Sequence, residues 1–286
     1  RMKWYEIARA AEEGTRHVLG ISGGKDSAAL AIHLKQHYPD LHEKVEYFFT
    51  DTGAELEEVY DFLDKLEVEL GKEVKRINSG KDFKHWLRMH NNMLPSPQRR
   101  WCTQMMKIKP FEAFVGDGSV ISYVGIRADE DREGYISRKE SIKALFPFIG
   151  DGIVREDVFQ ILEENVGIPA YYEWRSRSGC FFCFFQRQDE WLGLKEKHPD
   201  LYEEARKMED EVSEKGFDWG KVEAIECGEG YTWSQSGTLD EITKKAAENR
   251  EKGIKFEPKA SARWQDALKD GCDDEPEDQA CTICSL

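Results

Sequence analysis

The chain has 286 residues, 40% of them apolar and 34% charged, enough to bury a sizeable core in one large domain or a domain with an appendage. Its net charge of −15 argues against broad, unaided binding to nucleic acid, whose phosphates an acidic surface repels. No apolar run is long enough to span a bilayer and no charged-then-apolar leader opens the sequence, so a cytoplasmic protein is expected.

The first element is an apolar run ending at Ile21, followed by Ser22-Gly23-Gly24-Lys25-Asp26-Ser27 and then by an Ala- and Leu-rich helical segment. Strand, glycine turn and helix in that order bring free amides and a macrodipole to one point, which suits an anion. Lys25 adds positive charge, and Ser22 and Ser27 add hydroxyls. The spacing is not that of a Walker loop. Asp26 reads equally as a metal-proximal carboxylate or an N-cap.

Strand–helix units follow. Residues 45–50 predict a strand ending at Asp51-Thr52-Gly53, and residues 55–70 a helix with one apolar face. Residues 73–77 predict a third strand, 81–89 a short helix, and 107–115 a helix starting near Pro110. Residues 120–124 predict a fourth strand ending in Gly125-Ile126-Arg127, and 145–149 a fifth, placed at an edge by Pro147. Residues 155–166 predict an amphipathic helix. The alternation predicts an α/β fold, a parallel twisted sheet with helices on both faces and ligand groups at the carboxyl ends of its strands. Beyond Ser178 the character changes. Residues 179–183 read as a loop, 188–197 and 199–212 as helices, and the chain from 216 onward as Gly-rich, acidic and weakly periodic. The expected organisation is a nucleotide domain over 1–178, a cysteine loop and helices over 179–215, and an acidic extension over 216–286.

Seven cysteines without an export signal point to ligands, catalytic thiols or buried residues rather than disulfides. Cys180-x-x-Cys183 has metal-ligand spacing, which by itself fits zinc, iron–sulfur, redox chemistry or a buried pair. Basic residues cluster around the cysteines, as Arg99-Arg100, Lys107 and Lys109, and Arg175, Arg177 and Arg187, a pattern suited to a focused anionic substrate.

Ser-Gly-Gly-Lys-Asp-Ser resembles the PP-loop of the N-type ATP pyrophosphatases, which split ATP between the α and β phosphates and adenylate an acceptor. Cys102-Thr103-Gln104-Met105-Met106-Lys107-Ile108-Lys109-Pro110 resembles the segment that opens the 4Fe-4S site of assimilatory adenylylsulfate reductases, except that Thr103 stands where that family has a second cysteine. Asp51-Thr52-Gly53 and Gly125-Ile126-Arg127, followed by Arg132, resemble nucleotide-binding segments of the same group. The resemblance covers about residues 15–212 and is to the phosphoadenylylsulfate (PAPS) reductase superfamily. An intact PP-loop together with cluster cysteines is most similar to the ATP-pyrophosphatase subunits of DNA phosphorothioation systems of the Dnd and Ssp types.

That resemblance implies ATP and Mg2+ at Ser22, Gly23, Gly24, Lys25, Asp26 and Ser27, with Asp51, Thr52 and Gly53 bordering the adenosine and Arg127 and Arg132 neutralising phosphate charge. Lys25, Asp26 and Arg127 are then the catalytic set. It implies a 4Fe-4S cluster on Cys102, Cys180 and Cys183. Cys227 stands as a fourth ligand, a sulfur carrier or core, and Cys281 and Cys284 as inert tail, thiol relay or metal site. The implied partners are a cysteine desulfurase as sulfur donor, other subunits of a modification complex, and nucleic acid, DNA before tRNA. The alternatives are an adenylylsulfate or PAPS reductase, a tRNA thiolation enzyme, and a zinc-stabilised nucleotide-binding module.

Overall fold

A computed structural model describes residues 2–97, 99–130, 139–215 and 232–254. Arg132, Cys227, Cys272, Cys281 and Cys284 lie outside the described residues. Five strands form one parallel sheet: β1 (Arg16–Gly20), β2 (Val45–Thr50), β3 (Val74–Ile77), β4 (Val120–Tyr123) and β5 (Ile142–Leu145), in the order β3-β2-β1-β4-β5. The chain starts in the middle and winds outward in both directions, so the order reverses between β1 and β4. That reversal opens a crevice at their carboxyl ends.

The helices are α1 (Trp4–Arg9), α2 (Lys25–His37), α3 (Pro39–Lys44), α4 (Glu57–Leu70), α5 (Phe83–Met89), α6 (Trp101–Thr103), α7 (Lys109–Val115), α8 (Pro147–Asp151), α9 (Arg155–Asn165), α10 (Gln188–Lys197), α11 (Pro199–Lys215) and α12 (Leu239–Glu251). Both faces of the sheet are covered, because alternate strand residues feed two separate cores. Val18, Phe48, Val120 and Ile142 pack with Phe111 and Val115 of α7. Leu19, Tyr47, Phe49, Ile121 and Tyr123 pack with α2 and α4 in a larger core that also takes in Phe181, Phe182, Trp191 and Trp233. Helix α4 buries Val59, Phe62, Leu63, Leu66 and Leu70, the apolar face expected from its spacing, and stops at Gly71 in a left-handed conformation.

Three expectations are corrected. The fifth strand is Ile142–Leu145 at the sheet edge, and Pro147 opens α8 instead of sitting in the strand, its fixed φ and missing N–H suiting a first helical turn. Pro110 stands in the first turn of α7, as expected, but the helical path does not start afresh there. The chain is already helical from Trp101, and a π-helical turn over Gln104–Ile108 leads into α7, a wider turn that absorbs the donor Pro110 lacks. The segment beyond 216 contains α12, which buries Leu239, Ile242, Thr243 and Ala246. Its start carries a reciprocal cap, with Glu241 N donating to Thr238 Oγ1 at 3.3 Å and Thr238 N to Glu241 Oε2 at 2.9 Å.

Candidate nucleotide and cysteine site

The glycine turn joins β1 to α2 at the crevice. Gly23 has φ +75°, and a Cβ there would lie 2.5 Å from Cγ1 of Val59. Only glycine lets the turn lie this close to α4 without strain. Gly125, at the end of β4, approaches from the other side, where a Cβ would stand 3.1 Å from the carbonyl oxygen of Asp26. Neighbouring side chains wire the loop. Ser22 N donates to Ser27 Oγ at 3.1 Å, Gly24 N to Ser22 Oγ at 3.2 Å, and Lys25 N to the Tyr172 hydroxyl at 3.0 Å. The amides expected to be free are thus engaged by neutral hydroxyl oxygens, which are weaker acceptors than phosphate. Tyr171 adds a hydrogen bond to the Gly23 carbonyl.

Lys25 is 8% exposed, with Nζ 3.4 Å from Asp26 Oδ2 and 5.5 Å from the centre of the Tyr172 ring. Asp26 lies in the first turn of α2, while Gly24 takes the N-cap position. Its partner is Arg127, whose Nη1 donates to Oδ1 at 2.9 Å. Arg127 also meets Asp129 at 3.1 Å and Glu130 at 2.8 Å. Burial opposes its charge, but Asp26 first, then Glu130 and Asp129, outweigh that and hold the guanidinium protonated. Arg127 therefore orients Asp26 and is already matched by three carboxylates.

Asp51 Oδ1, at the end of β2, accepts from Gly53 N and from Tyr60 Oη, both at 2.8 Å. Thr52 Oγ1 donates to Glu55 Oε1 at 2.7 Å and lies 3.2 Å from Cys180 Sγ. This last contact joins the nucleotide loops to the cysteines. The junction is tightened by Phe181 N, which donates to Ala54 O at 2.8 Å, and by Ser178 Oγ, which sits where a Cβ on Gly24 would come within 2.9 Å.

The cysteine loop is built by residues on both sides of it. Glu190 clasps its base, accepting from Ser176 N at 2.7 Å, Ser176 Oγ at 2.6 Å and Arg187 N at 2.9 Å. Burial pushes the Glu190 carboxyl up, but Arg177, Arg187 and the Ser176 hydrogen bonds hold it below the ordinary carboxylate value. Arg175, 2% exposed, donates to the carbonyls of Gly179 at 3.0 Å and Cys180 at 2.7 Å. Gln186 Nε2 donates to Phe181 O at 2.7 Å, and Cys183 N to Cys180 O at 3.1 Å.

Cys102, Cys180 and Cys183 are free thiols, and Cys183 opposes the ionisation of both others. Burial pushes the Cys102 thiol up to about 12, with Cys183 adding to it. Burial and then Glu55 push Cys180 up, while Lys107 opposes. Thr103 Oγ1 lies 4.0 Å from Cys102 Sγ. Among the described residues no three His, Cys, Asp or Glu side chains are grouped to hold a single metal ion. Three soft thiols that are not grouped on one point fit an iron–sulfur cluster, which distributes its ligands over several irons, better than they fit one zinc. Mg2+ fits as an ion carried in on nucleotide phosphates with one carboxylate, Asp26, beside it.

Glu55 and Tyr172 were not identified from the sequence, where Arg175 stood only in a basic cluster and Glu190-Trp191 only as a fit to related sequences; Glu190 also carried a local signal, as N3 of α10, where its carboxylate caps the Arg187 amide. A groove of about 1000 Å3 opens beside the loop, running from Lys25 and Tyr172 past Arg155 and Arg187 to Arg250. No helix among the described residues is long and apolar enough to cross a membrane.

Two uncharacterized proteins of Methanocaldococcus jannaschii are similar in sequence. MJ0066 is 28% identical over 212 residues, 69% of this chain and 42% of its own length. MJ0973 is 24% identical over 263 residues, 87% of this chain and 59% of its own. The chain therefore spans less than two thirds of either relative. Among solved structures, the PAPS reductase of Candida auris in its phosphate complex is 14% identical, covers 63% of this chain and 89% of that one, and gives a TM-score of 0.47. The U34-tRNA thiolase NcsA of Methanococcus maripaludis, solved with its 4Fe-4S cluster, is 15% identical over 85% and 86%, TM-score 0.38. The NH3-dependent NAD synthetase of Campylobacter jejuni is 16% identical over 78% and 99%, TM-score 0.37. Residues 16–149, which hold the whole sheet and both glycine-bearing strand ends, match the phosphoadenosine phosphosulfate reductase domain family.

Proposed function

We propose that the protein is an ATP pyrophosphatase that adenylates a nucleic-acid phosphate for sulfur insertion, as in DNA phosphorothioation. The observation that carries this reading is the 3.2 Å approach of Thr52 Oγ1 to Cys180 Sγ, which sets a thiol loop against the ends of the strands that carry the phosphate loop. A nucleotide-activating site and a sulfur site with a shared wall suit a two-stage reaction on one acceptor.

In this reading the Ser22–Ser27 turn takes the pyrophosphate, which displaces the hydroxyl oxygens of Ser22 and Tyr172 from the loop amides. Lys25 moves from Asp26 to the phosphate oxygens. Arg127 keeps Asp26 oriented toward the ion that accompanies ATP. The acceptor oxygen attacks the α-phosphorus, the α–β bond breaks, and pyrophosphate leaves, so that the acceptor carries AMP. Sulfide then replaces that oxygen, and AMP departs with it. Cys102, Cys180 and Cys183 would hold the cluster, which when bound supplies an iron position for sulfide. The sulfur comes from a cysteine desulfurase as a persulfide, which two thiols reduce to sulfide while themselves becoming a disulfide.

The test is formation of AMP and pyrophosphate from ATP by anaerobically purified protein, with iron and sulfide measured on the same sample. Lys25→Ala leaves Asp26 paired with Arg127, so it is expected to fold and to lose at least ~100-fold in pyrophosphate release, as expected for an electrostatic group aimed at the reacting phosphate. Unchanged release in that variant would overturn the site. Sulfite release from adenylyl sulfate, without AMP formation from ATP, would instead make the protein a reductase.

A further inference from the structure

The aromatic run around the CxxC divides into two pairs. Phe181 and Phe182 are buried, at 5% and 4% exposure. Phe184 and Phe185 are half-buried, with ring centres 4.4 Å apart. Two guanidiniums sit over the Phe185 ring, Arg100 at 4.8 Å and Arg177 at 5.0 Å. Arg100 is two residues from Cys102, and Phe185 is two residues from Cys183.

Among the described residues the charges of this patch have no carboxylate at ion-pair distance. Several surface arginines elsewhere are matched by acids, as Arg9 by Asp40, Arg76 by Asp64, Arg206 by Glu203 and Asp210, and Arg250 by Glu196. Among the described residues no carboxylate forms an ion pair with Arg99, Arg100, Lys109 or Arg177. Arg99 and Arg100 donate to Met93 Sδ and to the Pro97 carbonyl. Arg177 feels the buried charge of Glu190 without contacting it at ion-pair distance. In a chain of net charge −15, cations left unmatched on one face form a local positive field that attracts a polyanion.

We infer that Arg100, Arg177 and Phe185, with Arg99 and Lys109 at the rim, seat a single-stranded segment of the nucleic-acid acceptor next to the cysteines. Guanidiniums set against an aromatic ring stack with unpaired bases and also meet phosphates, whereas a duplex offers phosphates alone. The inference rests on the sulfur-insertion reading for its choice of acceptor, and places the strand where its phosphate is within reach of both the thiol loop and the phosphate loop.

The test is fluorescence anisotropy of a labelled oligothymidylate on the full chain, over a range of salt, with an oligouridylate of equal length and a duplex as further arms. Tighter binding of the single strands than of the duplex is expected, with the tighter of the two identifying DNA or RNA. Phe185→Leu keeps an apolar side chain under the arginines and is expected to weaken binding about tenfold through lost stacking order. Arg100→Gln with Arg177→Gln is expected to lower the slope of log affinity against log salt by roughly 1.4, two contacts at ~0.7 each. Arg206→Gln makes a similar charge change at an arginine already paired, and is expected to bind as the parent does. Failure to bind either single strand, equal or tighter binding of the duplex, unchanged binding in Phe185→Leu and the double variant, or equal weakening by Arg206→Gln would each overturn the seat. ATP cleavage is measured separately. Strand binding without pyrophosphate release would remove the ATP reading alone, and pyrophosphate release without strand binding would remove the seat alone.

Discussion

The two ends of the sheet hold their charges differently. At the amino end, Arg16 of β1 donates to both oxygens of Glu46 of β2, at 2.8 and 2.9 Å, and Lys75 of β3 donates to the same carboxylate at 2.8 Å. Arg16 and Lys75 both lie over the Phe114 ring, and Arg16 also donates to the Phe114 carbonyl. Donors and acceptors there match and close on themselves. At the carboxyl end, loop amides rest on hydroxyls, Lys25 has a carboxylate 3.4 Å away, and desolvation pushes the thiols of Cys102 and Cys180 up. Thr50 Oγ1, which ends β2, is buried without a hydrogen-bond partner, as are Arg175 Nε and Gln186 Oε1 at the flanks of the cysteine loop. One end is satisfied and serves stability. The other holds polar groups in second-best arrangements, as expected where a ligand completes the hydrogen bonding.

The contrast implies that stability at the carboxyl end depends on a few buried clasps. Glu190 is the foremost, being fully buried and joining both flanks of the cysteine loop. Glu190→Ala strands Ser176 and Arg187, and is expected to cost about 3–5 kcal/mol in urea unfolding. Because its folded-state pKa is lowered, its contribution is fully present above the ordinary carboxylate value and is lost as pH falls through the folded value. A parent protein that loses no more stability than Glu190→Gln between pH 5 and pH 3 would show that the clasp works as a neutral acid.

Gly23→Ala comes next. A methyl at φ +75°, 2.5 Å from Val59 Cγ1, is expected to cost about 2–3 kcal/mol from overpacking and left-handed strain together. Val59→Ala in the same chain removes the clash and not the strain, so the double variant should be less destabilised than the sum of the two. Additive costs would mean that the turn relaxes away from α4.

The same contrast explains what the sequence disclosed. The phosphate loop was legible because its wiring is local: Ser22 and Ser27 hold each other five residues apart, and strand, turn and helix follow in order. Strands β1, β2 and β4 were legible because each reads as a short apolar run between turn signals, whereas β5, with Lys143 exposed in its middle, was placed three residues too late. The cysteine loop was legible only as spacing. Its local clasps Arg175, Gln186 and Glu190 are joined by contacts from far away, Ala54 and Thr52 at the end of β2, and no periodicity links those to Cys180. Arg127 was assigned to phosphate by the resemblance of Gly125-Ile126-Arg127 to a nucleotide-binding segment, which did not disclose its ion pairs with Asp129 and Glu130, two and three residues on. Helix α12 was missed although Thr238 and Glu241 spell a capping box, because the surrounding acidic, glycine-rich composition masked four buried positions.

A smaller effect is expected at Arg175. Its two hydrogen bonds to the Gly179 and Cys180 carbonyls come from one rigid fork. Arg175→Lys cannot reproduce that geometry and is expected to cost about 2 kcal/mol. Burial keeps the Cys180 thiol protonated and unreactive, so loosening its backbone should raise the rate of Cys180 alkylation relative to Cys102, read by peptide mass spectrometry. Equal rates before and after the substitution would mean that the loop is held by Phe181, Phe182 and the Glu190 clasp alone.

The smallest effect belongs to the satisfied end. The hydrogen-bonded Arg16 guanidinium, with help from Lys75 and against partial burial, holds the Glu46 carboxyl at about 2. Such a depressed value stabilises the fold at neutral pH, and the contribution is lost as pH falls from the ordinary carboxylate range through about 2. Glu46 keeps 28% of its side chain exposed and its partners 33% and 46%, so water and salt screen most of the pair energy. Glu46→Gln is therefore expected to cost only about 1 kcal/mol at pH 7, less at high salt, and close to nothing near pH 2. Its unfolding free energy should converge on that of the parent as pH falls. A loss of about 3 kcal/mol, insensitive to salt, would place the cluster among the buried clasps and erase the distinction between the two ends of the sheet.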